Sequence, residues 1–301
     1  MLLSVVVPTR DRAHLVEAAL GSVLRQPDVA LEVVVVDAGS VDETPEVLRR
    51  LARADDRVRV VQLDSPAGPS VARNRGLDAA AGDLVGFLDD DDEWMPYAAA
   101  AAARYLASRP GLGGVSGWHE VVVEGASPLH YRGPLVYGGA ELLWCNFPAS
   151  PFAVFWRDAL GDELRFDEDL VTCEDWDLYL RCARRRPMET VPAVLYRYHQ
   201  RPLPRVSRDV SRRVAGRARF LAKHGADMTP RCRSYHEARL EIMATEGLSA
   251  RARLGLSLTR RVPPAVAAAI AAESASARVG RLRGDPARSA RTLLRLVRRL
   301  G

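Results

Sequence analysis

The first 90 residues alternate between short apolar runs and amphipathic stretches of roughly ten residues. The apolar runs are rich in β-branched residues and predict four buried strands, at residues 3–7, 31–36, 58–63 and 84–88. The stretches between them predict three helices, at residues 13–24, 44–51 and 71–80. Continuous apolar strands separated by helices are typical of a parallel sheet that helices cover on both faces. The pattern therefore predicts an α/β fold of Rossmann type.

Polar segments follow three of these four strands. They are PTRD at 8–11, DAGS at 37–40 and DDDD at 89–92. In parallel α/β sheets, ligands bind beyond the carboxyl ends of the strands. Any one segment could be a plain turn, but three at one edge of the sheet favour a binding site for a nucleotide and a metal ion.

The four consecutive aspartates, Asp89 to Asp92, follow the buried strand directly. Carboxylates this close raise one another's pKa unless a cation neutralises them. Mg²⁺ and Mn²⁺ prefer oxygen ligands, and Mg²⁺ is commonly held by one or two carboxylates together with substrate phosphates. The run is therefore a candidate metal–diphosphate site, and a solvated acidic turn is the alternative.

The pattern changes after residue 96. It predicts a helix at 97–108, strands at 113–123 and 153–156, and a helix from 173 to about 185. Between the two strands, residues 124–152 predict a loop-rich insertion with a short helix near 141–144. The helix at 173 opens with Glu174 and Asp175. Acidic residues in a first turn complement the helix dipole, so capping alone could explain this pair.

Charge divides the chain into two parts. Residues 1–200 carry 20 Lys and Arg against 31 Asp and Glu, whereas residues 201–301 carry 23 against 7. We therefore expect a catalytic domain at 1–204 and a basic helical region at 205–301, with different partners. Since the chain has no membrane-spanning apolar run, no CxxC pair and no secretory signal at its start, we expect a cytoplasmic protein.

Residues 288–300 have the pattern of a basic amphipathic helix, with arginines on one face and Leu and Val on the other. Such a helix suits the surface of an anionic membrane, at the inner face of which the protein would be peripheral. Docking on the catalytic domain or on a second copy in a homodimer explains the pattern as well. Phosphate attraction could also draw nucleic acid, but the tail has few aromatic residues and no nucleic-acid-binding motif.

Six segments, taken in order, resemble the family 2 glycosyltransferases of the GT-A fold. They are VVVPTRDR at 5–12, EVVVVDAGSVDET at 32–44, GPSVARNRGL at 68–77, GDLVGFLDDDDEW at 82–94, FDEDL at 166–170 and EDWDLYLR at 174–181. The resemblance covers about residues 2–200 and leaves the basic tail outside. It implies the GT-A fold, a mixed and mostly parallel sheet flanked by helices, here with a C-terminal helical extension.

The resemblance also implies an activity, the transfer of a sugar from a nucleoside diphosphate sugar to an acceptor hydroxyl with inversion at the anomeric carbon. Asp37 would accept a hydrogen bond from a uracil or similar base. Pro8, Thr9 and Arg10 would line the base and ribose pocket, and Arg73 would lie near the nucleotide or form a structural ion pair. A UDP-sugar is favoured, whereas thymidine and guanosine donors stay open.

The resemblance assigns the aspartate run to the DxD element of the family. Asp89 would face the ribose and Asp91 would bind Mg²⁺ or Mn²⁺. Because the residue between them is also an aspartate, the register could slip so that Asp90 or Asp92 takes part. His199 would be a third metal ligand or a diphosphate contact, although a lone histidine near a strand is more often a simple surface or core residue. We expect Trp94, just after the run, to pack beneath it.

Asp175 matches the general base of the family, with Glu174 as the fallback. A base on the face opposite the leaving group takes the proton of the acceptor, an effect worth roughly 10²–10⁴ in rate. The insertion at 124–152 is the expected acceptor region, although its aromatic residues could equally be core.

Two other functions stay open at this point. One is a scaffold that binds nucleic acid or membrane through its basic region and has little catalytic activity. The other is a sugar-phosphate nucleotidyltransferase, which usually has a Gly-rich basic loop after the first strand, where this chain has PTRD.

Overall fold

The structure is a computed structural model, and it describes residues 1–123, 128–131, 136–144, 146, 152–201 and 209–244. The strands in this part are β1 Leu2–Thr9, β2 Ala30–Asp37, β3 Val58–Gln62, β4 Leu84–Phe87, β5 Glu93–Trp94, β6 Gly114–Val123, β7 Leu129–Tyr131, β8 Val136–Tyr137, β9 Ala153–Trp156 and β10 Met188–Gln200. The helices are α1 Ala13–Leu24, α2 Thr44–Ala54, α3 Pro69–Ala79, α4 Ala98–Ala107, α5 Gly139–Leu142, α6 Arg157–Leu160, α7 Glu174–Arg185, α8 Val210–His224 and α9 Pro230–Ala244.

One mixed sheet forms the centre of the described structure, in the order β3-β2-β1-β4-β9-β6-β10-β5. Its first four strands are parallel, β9 runs antiparallel to both β4 and β6, and β6 is parallel to β10. The predicted α/β class with a mostly parallel sheet is therefore confirmed. The carboxyl ends of β1, β2 and β4 lie side by side, because these strands pair directly and in parallel.

Both faces of the sheet are buried, as its continuous apolar strands predict. Val5 and Val7 of β1 belong to the cluster that contains α1 and α4, whereas Val6 belongs to the cluster that contains α3 and α7. Each fully buried Val or Leu contributes roughly 1.5–3 kcal/mol to folding. A Cβ on Gly76 of α3 would overlap the Val6 side chain, so this helix lies directly on the strands whose ends form the site.

The predicted elements that lie within the first 110 residues all form, with small shifts at their ends. Strands β5 and β10 were not predicted. β10 is 13 residues long, but its register against β6 shifts between Val191 and Val194 and again before Tyr196. Pro192 lies in this irregular part, where a residue without an N–H can sit in a strand. The interruption breaks the alternation that would otherwise have indicated a strand.

The described part of the basic region consists of α8 and α9, and both pack on α7. Phe220 of α8 stacks on Trp176 of α7, with ring centroids 4.1 Å apart and planes 22° apart. His224 Nε2 lies 2.7 Å from a carboxylate oxygen of Asp177, whose side chain is fully buried. The proposed boundary at residue 204 stays a prediction, and the amphipathic segment at 288–300 lies outside the described residues. In the part of the chain that the structure describes, no helix combines the length and apolar character needed to cross a bilayer.

Candidate functional site

The segments that follow β1, β2 and β4 meet at one edge of the sheet, as predicted. The Thr9 hydroxyl donates to Asp90 Oδ2 at 2.7 Å, which joins the end of β1 to the aspartate run. The backbone N–H of Asp11 donates to the Ser40 hydroxyl at 2.9 Å, which joins the loops after β1 and β2. Arg10 is exposed and its guanidinium lies 3.5 Å from Asp11. The predicted donor pocket is thus held together by short side-chain bonds between its loops.

Asp37, at the end of β2, has one carboxylate oxygen without a partner. It is only 1% exposed. Its Oδ1 accepts the backbone N–H of Ser40 at 3.0 Å, but its buried Oδ2 accepts no hydrogen bond. A buried polar atom without a partner is costly and rare in folded proteins. Oδ2 is therefore a buried acceptor for which the described residues supply no donor.

The four aspartates of the run have different partners. Asp90 faces Thr9, and burial raises its pKa to about 7. Asp92 accepts the Tyr196 hydroxyl and the backbone N–H of His199, the latter at 2.8 Å, and burial raises its pKa well above the ordinary value. Asp89 accepts a bond from an arginine of α3. The four carboxylates therefore do not form one exposed acidic turn.

Three of these aspartates can meet at one point. One carboxylate oxygen each from Asp89, Asp91 and Asp92 lies within 4.8 Å of the others. This set of hard oxygen donors fits Mg²⁺ or Mn²⁺. Asp90 lies outside the set, which agrees with the predicted pairing of Asp89 with Asp91, and Asp92 joins them.

His199 lies beside the aspartate run but is not a member of that set. Its Nε2 is 2.8 Å from Glu93 Oε1, and its backbone N–H holds Asp92. Its role as a metal or diphosphate ligand stays a prediction. Trp94 is 2% exposed and its ring packs edge-on against Phe152 at 5.0 Å, so it is a core residue beneath the run as expected.

Arg73 of α3 connects the aspartate run with the acidic start of α7. Its guanidinium donates to Asp89 Oδ1 at 2.8 Å and to Glu174 Oε1 at 3.2 Å. It is 7% exposed and lies 5.1 Å from the centre of the Phe166 ring. Burial acts to lower the pKa of Arg73, but the carboxylates of Asp89 and Glu174 outweigh it and raise that pKa above its ordinary value. The group is therefore a permanent cation between two acidic clusters.

The FDEDL segment, to which the sequence assigned no role, supports Arg73. Asn74, the next residue of α3, donates to the Phe166 carbonyl and to Glu168 Oε1, both at 2.9 Å. Its Oδ1 accepts the backbone N–H of Phe166 at 2.8 Å. These three bonds fix the aromatic ring on which the guanidinium rests. The role of this segment is therefore structural rather than catalytic.

Glu174 and Asp175 form the first turn of α7. Asp175 Oδ2 accepts the side-chain amide of Asn146 at 3.0 Å, and its Oδ1 accepts the backbone N–H of Trp176 at 2.7 Å. The preceding residue, Cys173, has φ +67°, an uncommon conformation for a residue with a side chain. Strained residues of this kind cluster at functional sites.

Burial raises the pKa values of both acids above their ordinary range. For Glu174, Arg73 opposes this shift and Asp175 adds to it. For Asp175, the Trp176 N–H, Arg73 and Asn146 oppose it. A buried carboxylate with a raised pKa and fixed orientation can act as a general base. Capping alone does not account for this environment.

Sequence reasoning overlooked several residues that shape the site. Tyr196 of β10 donates its hydroxyl to the side chain of Asp92. Arg201, the residue after β10, donates to the backbone carbonyl of Asp91. Arg12 lies 4.0 Å from Asp90. The available signal was the neighbourhood of His199, since Tyr196 lies three residues before it and Arg201 two residues after it.

Comparison with known proteins agrees with this geometry. Residues 4–137 match the sequence profile of Glycosyl transferase family 2. A GalNAc(5)-diNAcBac-PP-undecaprenol beta-1,3-glucosyltransferase from Campylobacter jejuni is 33% identical over 173 residues, 56% of this chain. Residues 4–137, which hold four of the six recognised segments, therefore belong to glycosyl transferase family 2, and the recognition of this family is confirmed for them.

The family 2 relatives differ in how much of their length this chain spans. It covers 55% of the Campylobacter enzyme and 37% of the putative teichuronic acid biosynthesis glycosyltransferase TuaG of Bacillus subtilis, to which it is 39% identical over 93 residues. The match to the succinoglycan biosynthesis protein ExoO of Rhizobium meliloti is weaker, at 27% identity, but it covers 86% of this chain and 81% of ExoO.

Solved structures show the same fold. The S. aureus TarS 1–349 complex with UDP-GlcNAc aligns with a TM-score of 0.64 and 21% identity, over 87% of this chain and 77% of TarS. The mannosyltransferase PcManGT from Pyrobaculum calidifontis, in complex with GDP-Man and Mn²⁺, aligns with a TM-score of 0.59 and 22% identity, over 98% of this chain and 84% of that enzyme. At these identities the likeness extends to the fold, and it confirms the GT-A expectation for this chain.

Proposed function

We propose that this protein transfers a sugar from a nucleoside diphosphate sugar to an acceptor hydroxyl, with inversion, and that Asp175 is the general base. The observation that carries the proposal is the position of Arg73. Its guanidinium reaches Asp89 in the aspartate run and Glu174 beside Asp175. The cation-binding cluster and the candidate base therefore face one site, as a transfer between a donor diphosphate and an acceptor requires.

The donor nucleotide would bind at the ends of β1 and β2. The Oδ2 of Asp37 would accept the N3–H of uracil, and Pro8, Thr9 and Arg10 lie at the adjoining strand end. A UDP-sugar is the donor we favour, and the UDP-GlcNAc complex of the TarS structure supports it. The GDP-Man complex of PcManGT makes guanosine the second candidate.

Asp89 and Asp91, with Asp92 behind them, would hold Mg²⁺ or Mn²⁺. When bound, the ion would neutralise negative charge that develops on the diphosphate leaving group. Both oxygens of Asp92 already accept hydrogen bonds from Tyr196 and His199, so Asp92 serves mainly to fix the run. Asp89 and Asp91 are the ligands whose loss should matter most.

On the acceptor side, Asp175 would take the proton of the attacking hydroxyl. The Asn146 amide and the Trp176 N–H each hold one of its oxygens, so the carboxylate is aimed before the acceptor arrives. Fixed orientation lowers the barrier because the entropy of alignment is already lost. Glu174 is engaged by Arg73, which leaves Asp175 as the better base.

We infer that the acceptor is a growing glycan. The relatives named above act on an undecaprenol-linked sugar or belong to teichuronic acid and succinoglycan biosynthesis. The acceptor would enter beside α5 and Asn146, in the predicted acceptor insertion. Such a role suits a protein in the cytoplasm, at the inner face of the membrane. A scaffold without turnover is not favoured, since the acidic groups that the chemistry needs converge.

Calorimetric titration of UDP and GDP, with and without Mn²⁺, tests the donor site. We expect Mn²⁺-dependent binding of UDP that Asp91→Ala weakens and that Asp56→Ala, the removal of an exposed carboxylate away from the site, leaves unchanged. Hydrolysis of UDP-sugars then identifies the hexose. If neither UDP nor GDP binds, with or without Mn²⁺, the proposed function is contradicted.

A further inference from the structure

The α8–α9 hairpin, which lies outside the residues that match the family, contacts the segment that orients Asp175. That segment runs from the end of α5 to Asn146. The indole N–H of Trp176 donates to the Leu142 carbonyl at 2.6 Å. The next carbonyl, that of Leu143, lies 2.7 Å from His236 Nε2 of α9. Two consecutive carbonyls are thus held by side chains from two different helices, three and four residues before the asparagine that bonds to Asp175.

The hydrogen bonds of His236 determine its tautomer. A backbone carbonyl can only accept, so Nε2 carries the proton and donates to Leu143. Nδ1 is then an acceptor, and it lies 3.1 Å from the guanidinium of Arg217. His236 is fully buried, and burial lowers its pKa to about 3. The imidazole therefore stays neutral and keeps this arrangement across the working pH range.

The same hairpin also fixes Trp176, the neighbour of Asp175. Phe220 stacks on the indole at 4.1 Å, and the Arg217 guanidinium lies 5.2 Å from its ring. The His236 ring lies 5.5 Å from it. Cys232 Sγ is a second, weaker donor to the Leu143 carbonyl at 3.4 Å. Loss of His236 would therefore leave the Leu143 carbonyl with only the weaker Cys232 donor and remove the contact on one side of the indole.

We propose that His236 is a positioning residue for Asp175, acting through the Leu143 carbonyl that anchors the Asn146 segment and through Trp176. This inference rests on the proposed function, in which Asp175 is the base. It gives the hairpin a role in the reaction although none of its residues contacts a reacting group. The geometry that it maintains is the Asn146–Asp175 hydrogen bond.

The test compares His236→Phe, which keeps a ring but loses both nitrogens, with His236→Gln, whose amide restores a donor and an acceptor. We expect His236→Phe to lower kcat about 10- to 100-fold, as small displacements of reacting groups do, with little change in KM for the donor. His236→Gln should recover most of kcat. Because His236 and Asn146 both act by orienting Asp175, the double variant His236→Phe/Asn146→Ala should have the same kcat as Asn146→Ala alone.

His224→Phe is the matched control, because His224 is also buried, is also hydrogen-bonded and lies in α8, but contacts Asp177 rather than the Asn146 segment. It should lower the thermal midpoint as His236→Phe does and retain kcat. An equal loss of kcat in the control, or an additive loss with Asn146→Ala, would overturn the proposal. Should His236→Phe fail to fold, a second variant is Trp176→Phe, which removes the donor to Leu142 and part of the ring that packs against Phe220 and His236. It is expected to give the same non-additive loss.

A measurement without turnover separates this inference from the proposed function. The side-chain amide signals of Asn146 in NMR spectra should move in His236→Phe and in Asp175→Asn, and stay in place in His224→Phe. A wild-type protein that transfers no sugar from any nucleotide donor would refute the proposed function, while the amide signals would still decide the positioning role. Unchanged Asn146 signals in His236→Phe would refute that role.

Discussion

The two sides of the candidate site are built in different ways. The donor side consists of the segments after three neighbouring parallel strands. Residues of these segments hold Asp37 and Asp90, whereas α3 holds Asp89 and β10 holds Asp92. The acceptor side consists of one helix start, which is held by α3, by the α5 segment and by the α8–α9 hairpin. The segments after β1, β2 and β4 and helix α3 lie within the residues that match the family, whereas α7, the α5 segment, the α8–α9 hairpin and the β10 residues that hold Asp92 lie beyond them. Under the proposed function, the nucleotide would meet the side inside the match, and the acceptor would meet the side assembled from distant segments.

Arg73 is the one buried cation that contacts both sides in the described structure, so substitutions on each side and at Arg73 itself test the comparison. The largest effect is expected for Asp175→Asn, which keeps the shape of the side chain and removes its basicity. We expect kcat to fall by about 10²–10⁴ and UDP binding to be unchanged. Steady-state kinetics and calorimetry on the same preparation measure both. A larger loss of kcat in Glu174→Gln would transfer the role of base to Glu174.

Arg73→Met should damage both sides at once. The substitution leaves Asp89 and Glu174 without their buried partner, and breaking a buried pair in this way costs about 3–5 kcal/mol of stability. Urea unfolding at neutral pH measures this loss. Arg75→Met, in the same helix but with an exposed side chain, is the control and should change stability by less than about 0.5 kcal/mol. Equal effects of the two substitutions would mean that Arg73 does not couple the two sides.

Asn74→Ala should sharpen the comparison by loosening Arg73 without removing it. The variant loses three hydrogen bonds to the segment 166–168, and the partners left in the protein interior should cost about 1–3 kcal/mol. Thermal unfolding reports this loss. We also expect a lower kcat, since the Phe166 ring beneath the guanidinium is no longer fixed. A loss of stability with unchanged kcat would mean that the segment 166–168 supports folding but does not affect the reaction.

The last prediction concerns how stability depends on pH, where the effect within any one pH unit is small. Because burial raises the pKa of Asp90 to about 7, the folded state binds a proton that the unfolded state releases near the ordinary value of 3.8. The stabilising effect of this proton is fully present below the unfolded pKa and is lost as the pH rises through about 7. In chelator, stability should therefore fall over this window, by at most about 1.4 kcal/mol per pH unit. Asp90→Asn should flatten that slope, and a slope that stays as steep would contradict the assigned environment.

The donor side was largely predictable from the sequence because its structure is local. Apolar runs with β-branched residues marked β1 to β4, and the polar residues directly after them had to gather at one edge. The partners of the individual aspartates were not predictable. A run of four identical residues does not show which aspartate faces which partner. The partners that distinguish them are Thr9, Arg73 and Tyr196, and they lie 81, 16 and 104 positions away in the chain.

The acceptor side was predictable only in its first turn. Glu174 and Asp175 stood out as an acidic pair at a helix start, but nothing in their neighbourhood indicated Asn146 as the residue that orients the base. The stacking of Phe220 on Trp176 joins two apolar residues that each suit an ordinary core. β10 was missed because Pro192 interrupts its alternation. Contacts between distant segments left no local pattern to detect.

Under the proposed function, the unpartnered carboxylate oxygen of Asp37 would influence which nucleotide binds. Uracil and guanine each carry a ring N–H that can satisfy it. Cytosine carries a bare nitrogen lone pair at the equivalent position, which would face a buried negative charge. A site with a buried acceptor discriminates strongly against analogues that lack the matching donor. A hydrophobic pocket discriminates far less against a ligand that lacks one methyl group. The end of β2 would thus make the pocket selective against cytidine nucleotides, even where these are abundant.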